Sequence, residues 1–393
     1  MKITSIDLIA LKPSPTEMMR PIITRINTDE GIYGYGEAGM AIVSGATAVF
    51  EMLKDYAPLL IGRDPLDIDV IWEKLFKGTF WAMANGPVVM SAISALDTSL
   101  WDIKAKYMGV PLYKALGGKH RDKLRAYASQ LQFGWGGQQF NRCGDVGAYR
   151  ESVEKAVADG YDAVKLDFLA VCENGKPNPA GSLVNYLSKD IMHYTEERLR
   201  VTREVLGDRG DIIAENHAHT DVNTSIQFAR MAEPYDIMFY EEPCIPLNPA
   251  NFEKIAANTS IPVAGGERTF TRYGFLPFFQ NGSMSVAQPD IGNCGGVTEC
   301  KRICELAQLY DVSIQTHTCN SVISVAVALH VEAAIPNFII HEHHVTNTFV
   351  SNTSNGIYNY QPVNGYFDIP EIPGIGQELS DYALKNAEIY TIR

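Results

Sequence analysis

Three short apolar runs near the middle of the chain each end in a glutamate. The runs are DIIAE, MFYE and VAGGE, which end in Glu215, Glu241 and Glu267, and successive acids are 26 residues apart. A strand, a crossover helix and the return to the sheet take about 30 residues. Because parallel strands end on the same side of a sheet, we expect the three carboxylates at one rim.

Three clustered carboxylates repel one another unless a cation lies between them. Oxygen ligands suit a hard divalent ion, so the pattern predicts a Mg²⁺ site, with Mn²⁺ as the second choice. Three unrelated surface glutamates are the alternative, and the equal spacing argues against it.

Two later runs, VAQPD and VSIQTH, end in Asp290 and His317. If they form neighbouring strands, the two residues can make an Asp–His pair. The carboxylate then fixes the imidazole tautomer and makes the other ring nitrogen a better base. A purely structural histidine is the alternative, and the pairing favours catalysis.

The run AVKLDF places Lys165 and Asp167 on one face of a strand, because strand side chains alternate. A lysine at this position can bind a substrate carboxylate or act as a base, and a solvated lysine is the alternative. His217 lies two residues after Glu215 and shares its parity. We therefore expect its side chain beside the metal site.

The run from His341 to His344, HEHH, resembles a metal-binding box but does not match H-E-x-x-H. On a strand its members divide between two faces. We predict that Glu342 faces the mouth of the site and that the histidines are packing or loop residues. Residues 34–39 match G-x-G-x-x-G, but the preceding strand belongs to a hairpin, so a nicotinamide site is rejected.

The order of the apolar patterns predicts an α/β protein in which a (β/α)8-type barrel carries an α+β N-terminal capping domain. Residues 1–39 alternate as antiparallel strands, helical patterns follow, and strand–helix alternation begins at Lys123. The predicted barrel strands are 124–129, 162–168, 211–215, 237–241, 261–266, 284–288, 312–317 and 337–342. The predicted units are the cap, 1–122, the barrel, 123–344, and a C-terminal segment, 345–393, that packs back on the cap and completes it.

Composition excludes several classes of protein. A net charge of −13 over 393 residues argues against nucleic acid as a partner, which requires a surplus of lysine and arginine. Seven cysteines without a CxxC pair predict free thiols in a reducing cytoplasm. No run of 18 apolar residues and no basic-then-apolar N-terminus occur, so neither a membrane span nor a signal peptide is expected.

Together these patterns resemble the enolase superfamily, mandelate racemase subgroup. The resemblance covers nearly the whole chain and is carried by SAISALDTSLWDIKAK, PLYKALGG, YEEP, GGER and AQPDIGNCGG. It implies Mg²⁺-dependent removal of the proton α to a carboxylate. By position it implies that Glu215, Glu241 and Glu267 are metal ligands, that His317 with Asp290 is the base, and that Glu342 is the acid that hydrogen-bonds the substrate carboxylate.

Two positions depart from the racemase pattern. The first ligand, usually Asp, is Glu215, and Asp167 stands where racemases carry the second lysine of Lys-x-Lys. Racemisation from two sides then lacks its second base. The placement of His217 is instead similar to sugar-acid dehydratases of the galactonate dehydratase type, in which such a histidine protonates the departing hydroxyl.

The sequence therefore predicts a Mg²⁺-dependent dehydratase that converts a sugar acid, an aldonate or an aldarate, into a 2-keto-3-deoxy acid. In this interpretation Lys165 helps to stabilise the enediolate, Asp167 contacts substrate, and the protein is a homo-oligomer. A racemase or epimerase of a 2-hydroxy acid and a non-catalytic sugar-acid-binding protein are the alternatives. Specificity is expected in the segments near 12–22 and 40–47 and in the loops 131–147 and 169–189.

Overall fold

A computed structural model describes residues 1–12, 19–40, 44–179 and 181–393. Its strands are β1 (Ile3–Ala10), β2 (Ile22–Thr28), β3 (Tyr33–Ala38), β4 (Lys123–Ser129), β5 (Ala163–Asp167), β6 (Asp211–Glu215), β7 (Ile237–Glu241), β8 (Val263–Gly265), β9 (Val286–Ala287), β10 (Ser313–Ile314), β11 (His341–His344), β12 (Tyr366–Asp368) and β13 (Glu388–Ile392). Its α-helices are α1 (Ala46–Tyr56), α2 (Ile68–Lys77), α3 (Pro87–Tyr107), α4 (Leu112–Ala115), α5 (Val146–Ala158), α6 (Lys189–Leu206), α7 (Val222–Ala232), α8 (Pro249–Ala256), α9 (Thr271–Gln280), α10 (Gly296–Leu309), α11 (Val322–Ala333), α12 (Val350–Thr353) and α13 (Asp381–Asn386).

The cap is an antiparallel sheet in the order β13-β1-β2-β3 with α3 packed against it. Helix and sheet approach closely at two glycines of β3. A Cβ atom on Gly34 would lie 2.1 Å from the Ser99 carbonyl oxygen, and one on Gly36 would lie 2.0 Å from that of Ala95. Gly34 and Gly36 of the G-x-G-x-x-G run thus serve helix–sheet packing.

Strands β4 to β11 are parallel and follow one another in the order β10-β9-β8-β7-β6-β5-β4-β11. A bridge between Ile314 and Phe338 joins β10 to the segment before β11. The predicted fold class is confirmed. The predicted eighth strand, 337–342, was misplaced, because the chain bonds to β10 through Asn337 and Ile339 and only then pairs with β4 through β11.

The C-terminal segment completes both parts of the molecule. β13 pairs antiparallel with β1 of the cap, as predicted, and β12 pairs antiparallel with β4 of the barrel. Phe367 of β12 is buried against the rings of His341 and His343. The tail therefore packs on the barrel as well as on the cap, because it supplies an apolar side chain that covers the first and last barrel strands.

Buried carboxylates connect the cap to the barrel. Glu37 of β3 accepts hydrogen bonds from the backbone N–H of Ser321 at 3.0 Å and of Ser324 at 3.1 Å, at the start of α11. Asp97 of α3 accepts from the backbone N–H of Thr298 at 2.9 Å and from its hydroxyl at 2.6 Å. Burial raises the pKa of both carboxyls to about 7. Each acid satisfies donors of a barrel helix with an acceptor from the cap.

All seven cysteines have free thiols, as predicted. None of the helices in the described ranges has the length and apolar character needed to cross a membrane.

Candidate active site

A cluster of carboxylates lies at the ends of three consecutive barrel strands. Glu215 ends β6, Glu242 follows β7 and Glu267 follows β8, and one oxygen of each lies within 4.8 Å of the others. Of their buried oxygens, Glu242 Oε1 has neither a hydrogen bond nor an ion pair among the described residues, whereas Glu215 Oε1 lies 3.1 Å from His217 Nε2 and Glu242 Oε2 contacts Arg268. Buried carboxylate oxygens are costly unless a cation compensates them. This donor set therefore fits a hard divalent cation.

Glu241, which the sequence predicts as a metal ligand together with Glu215 and Glu267, lies beside this cluster. Its two carboxylate oxygens lie 3.0 and 2.9 Å from Lys165 Nζ. Burial and the charge of Glu215 raise the pKa of Glu241 to about 8. Glu242 joins the cluster because its backbone φ is +44°, immediately before Pro243. This left-handed conformation, uncommon outside glycine, places two successive acids at one rim.

Lys165 lies buried beneath the cluster. Its ammonium is 3.2 Å from Glu215 Oε2 and 2.9 Å from Glu342 Oε1, in addition to its contacts with Glu241. Burial lowers the pKa of this amine, but the three carboxylates outweigh burial and raise it well above its ordinary value. Lys165 is therefore paired with three carboxylates at the base of the site.

Glu342 faces the same side of the barrel as Lys165. Its Oε1 accepts a hydrogen bond from the Ser129 hydroxyl at 2.7 Å, and its Oε2 accepts one from the Thr318 backbone N–H at 2.9 Å. Burial raises its pKa, but Lys165 and His317 outweigh burial and hold the pKa well below its ordinary value. Its contact with a substrate carboxylate stays a prediction.

His317 and Asp290 are brought together at neighbouring strand ends. His317 Nδ1 donates to Asp290 Oδ2 at 2.7 Å, and Nε2 lies 3.1 Å from Glu267 Oε2. The other oxygen of Asp290 accepts from the Gly292 backbone N–H at 2.7 Å. Burial opposes the charged imidazole, but Cys319, Glu267 and Asp290 outweigh it, so the pKa of His317 is raised well above its ordinary value.

His217 forms a second pair of the same kind with Asp167. His217 Nδ1 donates to Asp167 Oδ2 at 2.7 Å, and Nε2 lies 3.1 Å from Glu215 Oε1. Asp167 Oδ1 accepts from the Leu169 backbone N–H at 2.9 Å. Burial opposes the charged ring, but Glu215 and Asp167 raise the pKa of His217 to about 9. Asp167, predicted to contact substrate, is thus the partner of His217.

Two glutamines that sequence reasoning missed extend this second pair. Gln130, directly after β4, donates from Nε2 to Glu215 Oε2 at 2.6 Å and lies 3.3 Å from His217 Nε2. Its Oε1 accepts from Gln132, whose own Oε1 accepts from the Asp167 backbone N–H at 3.1 Å. Gln130 has a φ of +68°. No sequence pattern signals that turn.

A cavity of about 430 Å³ opens beside the two His–Asp pairs. Its volume lies within the range of about 300–1,000 Å³ that small-molecule sites occupy. The two long loops line it as predicted, through Phe133, Phe140, Arg142, Ala170, Val171 and Pro177. Within the four predicted specificity segments, residues 13–18, 41–43 and 180 lie outside the described residues.

The histidines of the HEHH run divide between two faces, as predicted. His341 Nδ1 donates to Glu332 Oε2 at 2.6 Å, and His343 hydrogen-bonds the Tyr161 hydroxyl. Both rings are buried outside the cavity. His344 lines the cavity instead. Sequence parity could have indicated this, since His344 shares the face of Glu342.

Arg268 is a further residue that sequence reasoning missed. It follows Glu267 in the GGER run, lines the cavity, and its guanidinium contacts the carboxylates of Glu242 and Glu267. The structure thus already places a positive group against the carboxylate cluster.

The chain matches known families over both of its parts. Residues 148–383 match the family described as "Enolase C-terminal domain-like", and residues 13–117 match "Mandelate racemase / muconate lactonizing enzyme, N-terminal domain".

Among curated proteins, the chain is 31% identical to a D-galactonate dehydratase of Ralstonia nicotianae over 386 residues, covering 97% of this chain and 93% of that protein. It is also 31% identical to a D-galactonate dehydratase of Pectobacterium atrosepticum, with the same coverage. A solved enolase superfamily member from Salmonella Typhimurium is 47% identical, with a TM-score of 0.97 over 100% of both chains.

Proposed function

Because the chain belongs to the mandelate racemase subgroup of the enolase superfamily, as its motifs predicted, we propose that it is a Mg²⁺-dependent dehydratase of a sugar acid. This hydro-lyase removes the proton α to the carboxylate and expels the β-hydroxyl as water. The resulting enol becomes a 2-keto-3-deoxy acid. The observation that carries the proposal is that two histidines, each held by an aspartate, line one cavity beside the carboxylate cluster.

The two histidines divide the proton transfers between them. Asp290 occupies Nδ1 of His317, so Nε2 is the nitrogen that takes the α-proton. Asp167 likewise occupies Nδ1 of His217, and Nε2 gives a proton to the β-hydroxyl as its bond to carbon breaks. Hydroxide is a poor leaving group, so the second transfer is what separates dehydration from simple α-proton exchange.

The carboxylate cluster would hold the metal through Glu215, Glu267 and a carboxylate of the Glu241–Glu242 pair. A bound Mg²⁺ supplies positive charge that stabilises negative charge on the substrate carboxylate. Lys165 adds a fixed positive charge beneath it. Titrating Mg²⁺ into Glu241→Gln and Glu242→Gln identifies the third ligand, and unchanged affinity in both would refute the assignment to this pair.

An epimerase is the second candidate function. The equal geometry of the two His–Asp pairs favours it, since two imidazoles near one carbon could remove and return its proton from opposite sides. Sugar-acid binding without catalysis is disfavoured, because a binding site requires no imidazole held by a carboxylate.

The test is a screen of a stereochemically complete set of C4–C6 sugar acids, mono- and diacids, with Mg²⁺ in D₂O. Formation of keto acid supports the dehydratase. Inversion at the α-carbon without keto acid assigns the epimerase, and neither reaction with any acid refutes both.

We further propose that the protein is a cytoplasmic homo-oligomer. Its free thiols support a reducing compartment. Three large apolar side chains of the cap support self-association: Phe80, Trp81 and Met83 are 78%, 76% and 54% exposed. A Phe80→Ser, Trp81→Ser variant should shift towards monomer in analytical ultracentrifugation, and a monomeric wild-type protein would contradict the proposal.

A further inference from the structure

One permanently charged side chain in the cavity wall takes no part in the dehydration. Arg142, in the loop after β4, lines the same cavity as His217 and His317. Within the described ranges, no carboxylate oxygen lies within 4.0 Å of its guanidinium nitrogens and no hydrogen bond engages them. A guanidinium presents its N–H donors in a planar fork that matches a carboxylate or a phosphate.

The backbone fixes the position of Arg142. The N–H of Asn141 donates to the Phe133 carbonyl at 2.7 Å, and the N–H of Cys143 donates to the Gln132 carbonyl at 2.8 Å. Cys143 is buried, whereas Arg142 is exposed and lines the cavity. Cys143 is thus turned into the protein and Arg142 towards the cavity.

A buried arginine ties this loop to the next one. Arg198 of α6 donates to the carbonyl oxygens of Phe168 at 2.9 Å, Val171 at 2.8 Å and Gly144 at 2.5 Å. One guanidinium thereby joins the loop after β4 to the loop after β5. These interior hydrogen bonds hold the backbone of the cavity wall from which Arg142 projects.

The other charged groups of the cavity are engaged. Arg268 contacts the carboxylates of Glu242 and Glu267, and Asp167 holds His217. None of these carboxylates lies within ion-pairing distance of Arg142. Its guanidinium is therefore available to an anionic group of the substrate.

We propose that Arg142 binds a second carboxylate at the far end of the substrate, so that the enzyme prefers sugar diacids to the matching monoacids. The inference rests on the proposed dehydratase function. A terminal carboxylate accepts charge-assisted hydrogen bonds from the guanidinium, which are roughly twice as strong as the neutral bonds a terminal hydroxyl would make.

The experiment compares pairs of monoacid and diacid that share their stereochemistry. The ratio of kcat/KM for diacid over monoacid is measured for wild type, Arg142→Met, Arg142→Lys and a control, Arg209→Met. Arg209 is exposed in the turn before β6, at the opposite end of the barrel. Binding of the same acids with Mg²⁺ is measured by calorimetry in the His317→Asn background, where turnover does not consume them.

We expect Arg142→Met to lower the diacid-to-monoacid ratio about 10- to 100-fold, mainly through KM, the size of one or two hydrogen bonds to a charged group. Arg142→Lys should retain part of it and Arg209→Met all of it. An unchanged ratio, with monoacids dehydrated well, overturns the inference and leaves the dehydratase standing. Calorimetry tests the inference without turnover. If the diacid binds the His317→Asn protein equally tightly with and without Arg142→Met, the inference is overturned. Tighter binding of a 6-phosphoaldonate than of the diacid assigns the subsite to phosphate and overturns the second carboxylate.

Discussion

The two His–Asp pairs have almost the same local geometry and entirely different supports. In each, Nδ1 lies 2.7 Å from an aspartate oxygen and Nε2 lies 3.1 Å from a glutamate oxygen. The His317–Asp290 pair is held from outside the barrel, by the cap. The His217–Asp167 pair is held from inside it, by side chains of the first barrel loop.

Contacts with the cap support both Asp290 and the segment that follows His317. The Gly292 N–H holds Asp290, and the carbonyl of the same Gly292 accepts from the Gly39 N–H of the cap at 2.8 Å. The segment after His317 is bonded to Glu37 of the cap through Ser321.

Support for the second pair is a chain of amides within the barrel. Gln132 receives the Asp167 N–H and donates to Gln130, which leaves the Gln130 amide nitrogen facing Glu215 and His217. The two aspartates are therefore held by different residues, although Glu267 raises the pKa of both histidines. Separate supports for the aspartates suit a dehydratase whose base and acid act in separate steps.

The largest effect is expected when the cap-supported His317–Asp290 pair is disrupted. His317→Asn should lower both dehydration and α-proton exchange by about 10²–10⁴-fold or more, because both begin with proton removal. Product formation and exchange are followed together in D₂O by proton NMR. His193→Asn, a substitution of an exposed histidine on α6, is the control. Exchange that survives in the His317 variant would transfer the base to another residue.

The next largest effect separates the two pairs. His217→Gln should lower dehydration by about 10²–10⁴-fold while α-proton exchange continues, because only expulsion of the hydroxyl needs this acid. The same NMR measurement reports both. Dehydration near the wild-type rate would reduce His217 to a packing residue.

Smaller effects are expected from the aspartates, each following its own histidine. Asp290→Asn should slow exchange and dehydration together, and Asp167→Asn should slow dehydration alone, each by about 10- to 100-fold. The ratio of the two rates in each variant is the readout. Equal ratios in both variants would show that the pairs do not divide the reaction.

The smallest effects are expected from substitution of residues that support one pair or the other. Gln130→Ala should lower dehydration several-fold, the size of one hydrogen bond of about 1 kcal/mol, and leave exchange unchanged. Asn320→Ala, which removes a 3.4 Å contact with Asp290, is the mirror-image variant and should affect both rates slightly. A loss of exchange in the Gln130 variant would contradict the separation of the two supports.

The barrel and the His317–Asp290 pair followed from the sequence because both depend on apolar runs and on the order of strand ends. Glu242 did not, since strand parity assigns it to the face opposite Glu241 and only its positive φ before Pro243 reverses this. Gln130 was hidden for the same reason, a left-handed turn at φ +68°. The pairing of Asp167 with His217 was missed because it depends on how far the side chain reaches. Strand periodicity predicts which face a side chain lies on, but not its reach.

The hydrogen bonds from Ser321 and Ser324 to Glu37 constrain how the cap and the barrel can be recombined between related proteins. The cap cannot be traded between relatives as a freely interchangeable specificity module. A chimera whose foreign cap lacks an acid at this position would leave the N–H groups of buried Ser321 and half-buried Ser324 unsatisfied at the start of α11. The segment that would be disturbed follows the base, His317. Recombination within the family should therefore succeed where β3 and the start of α11 come from the same parent.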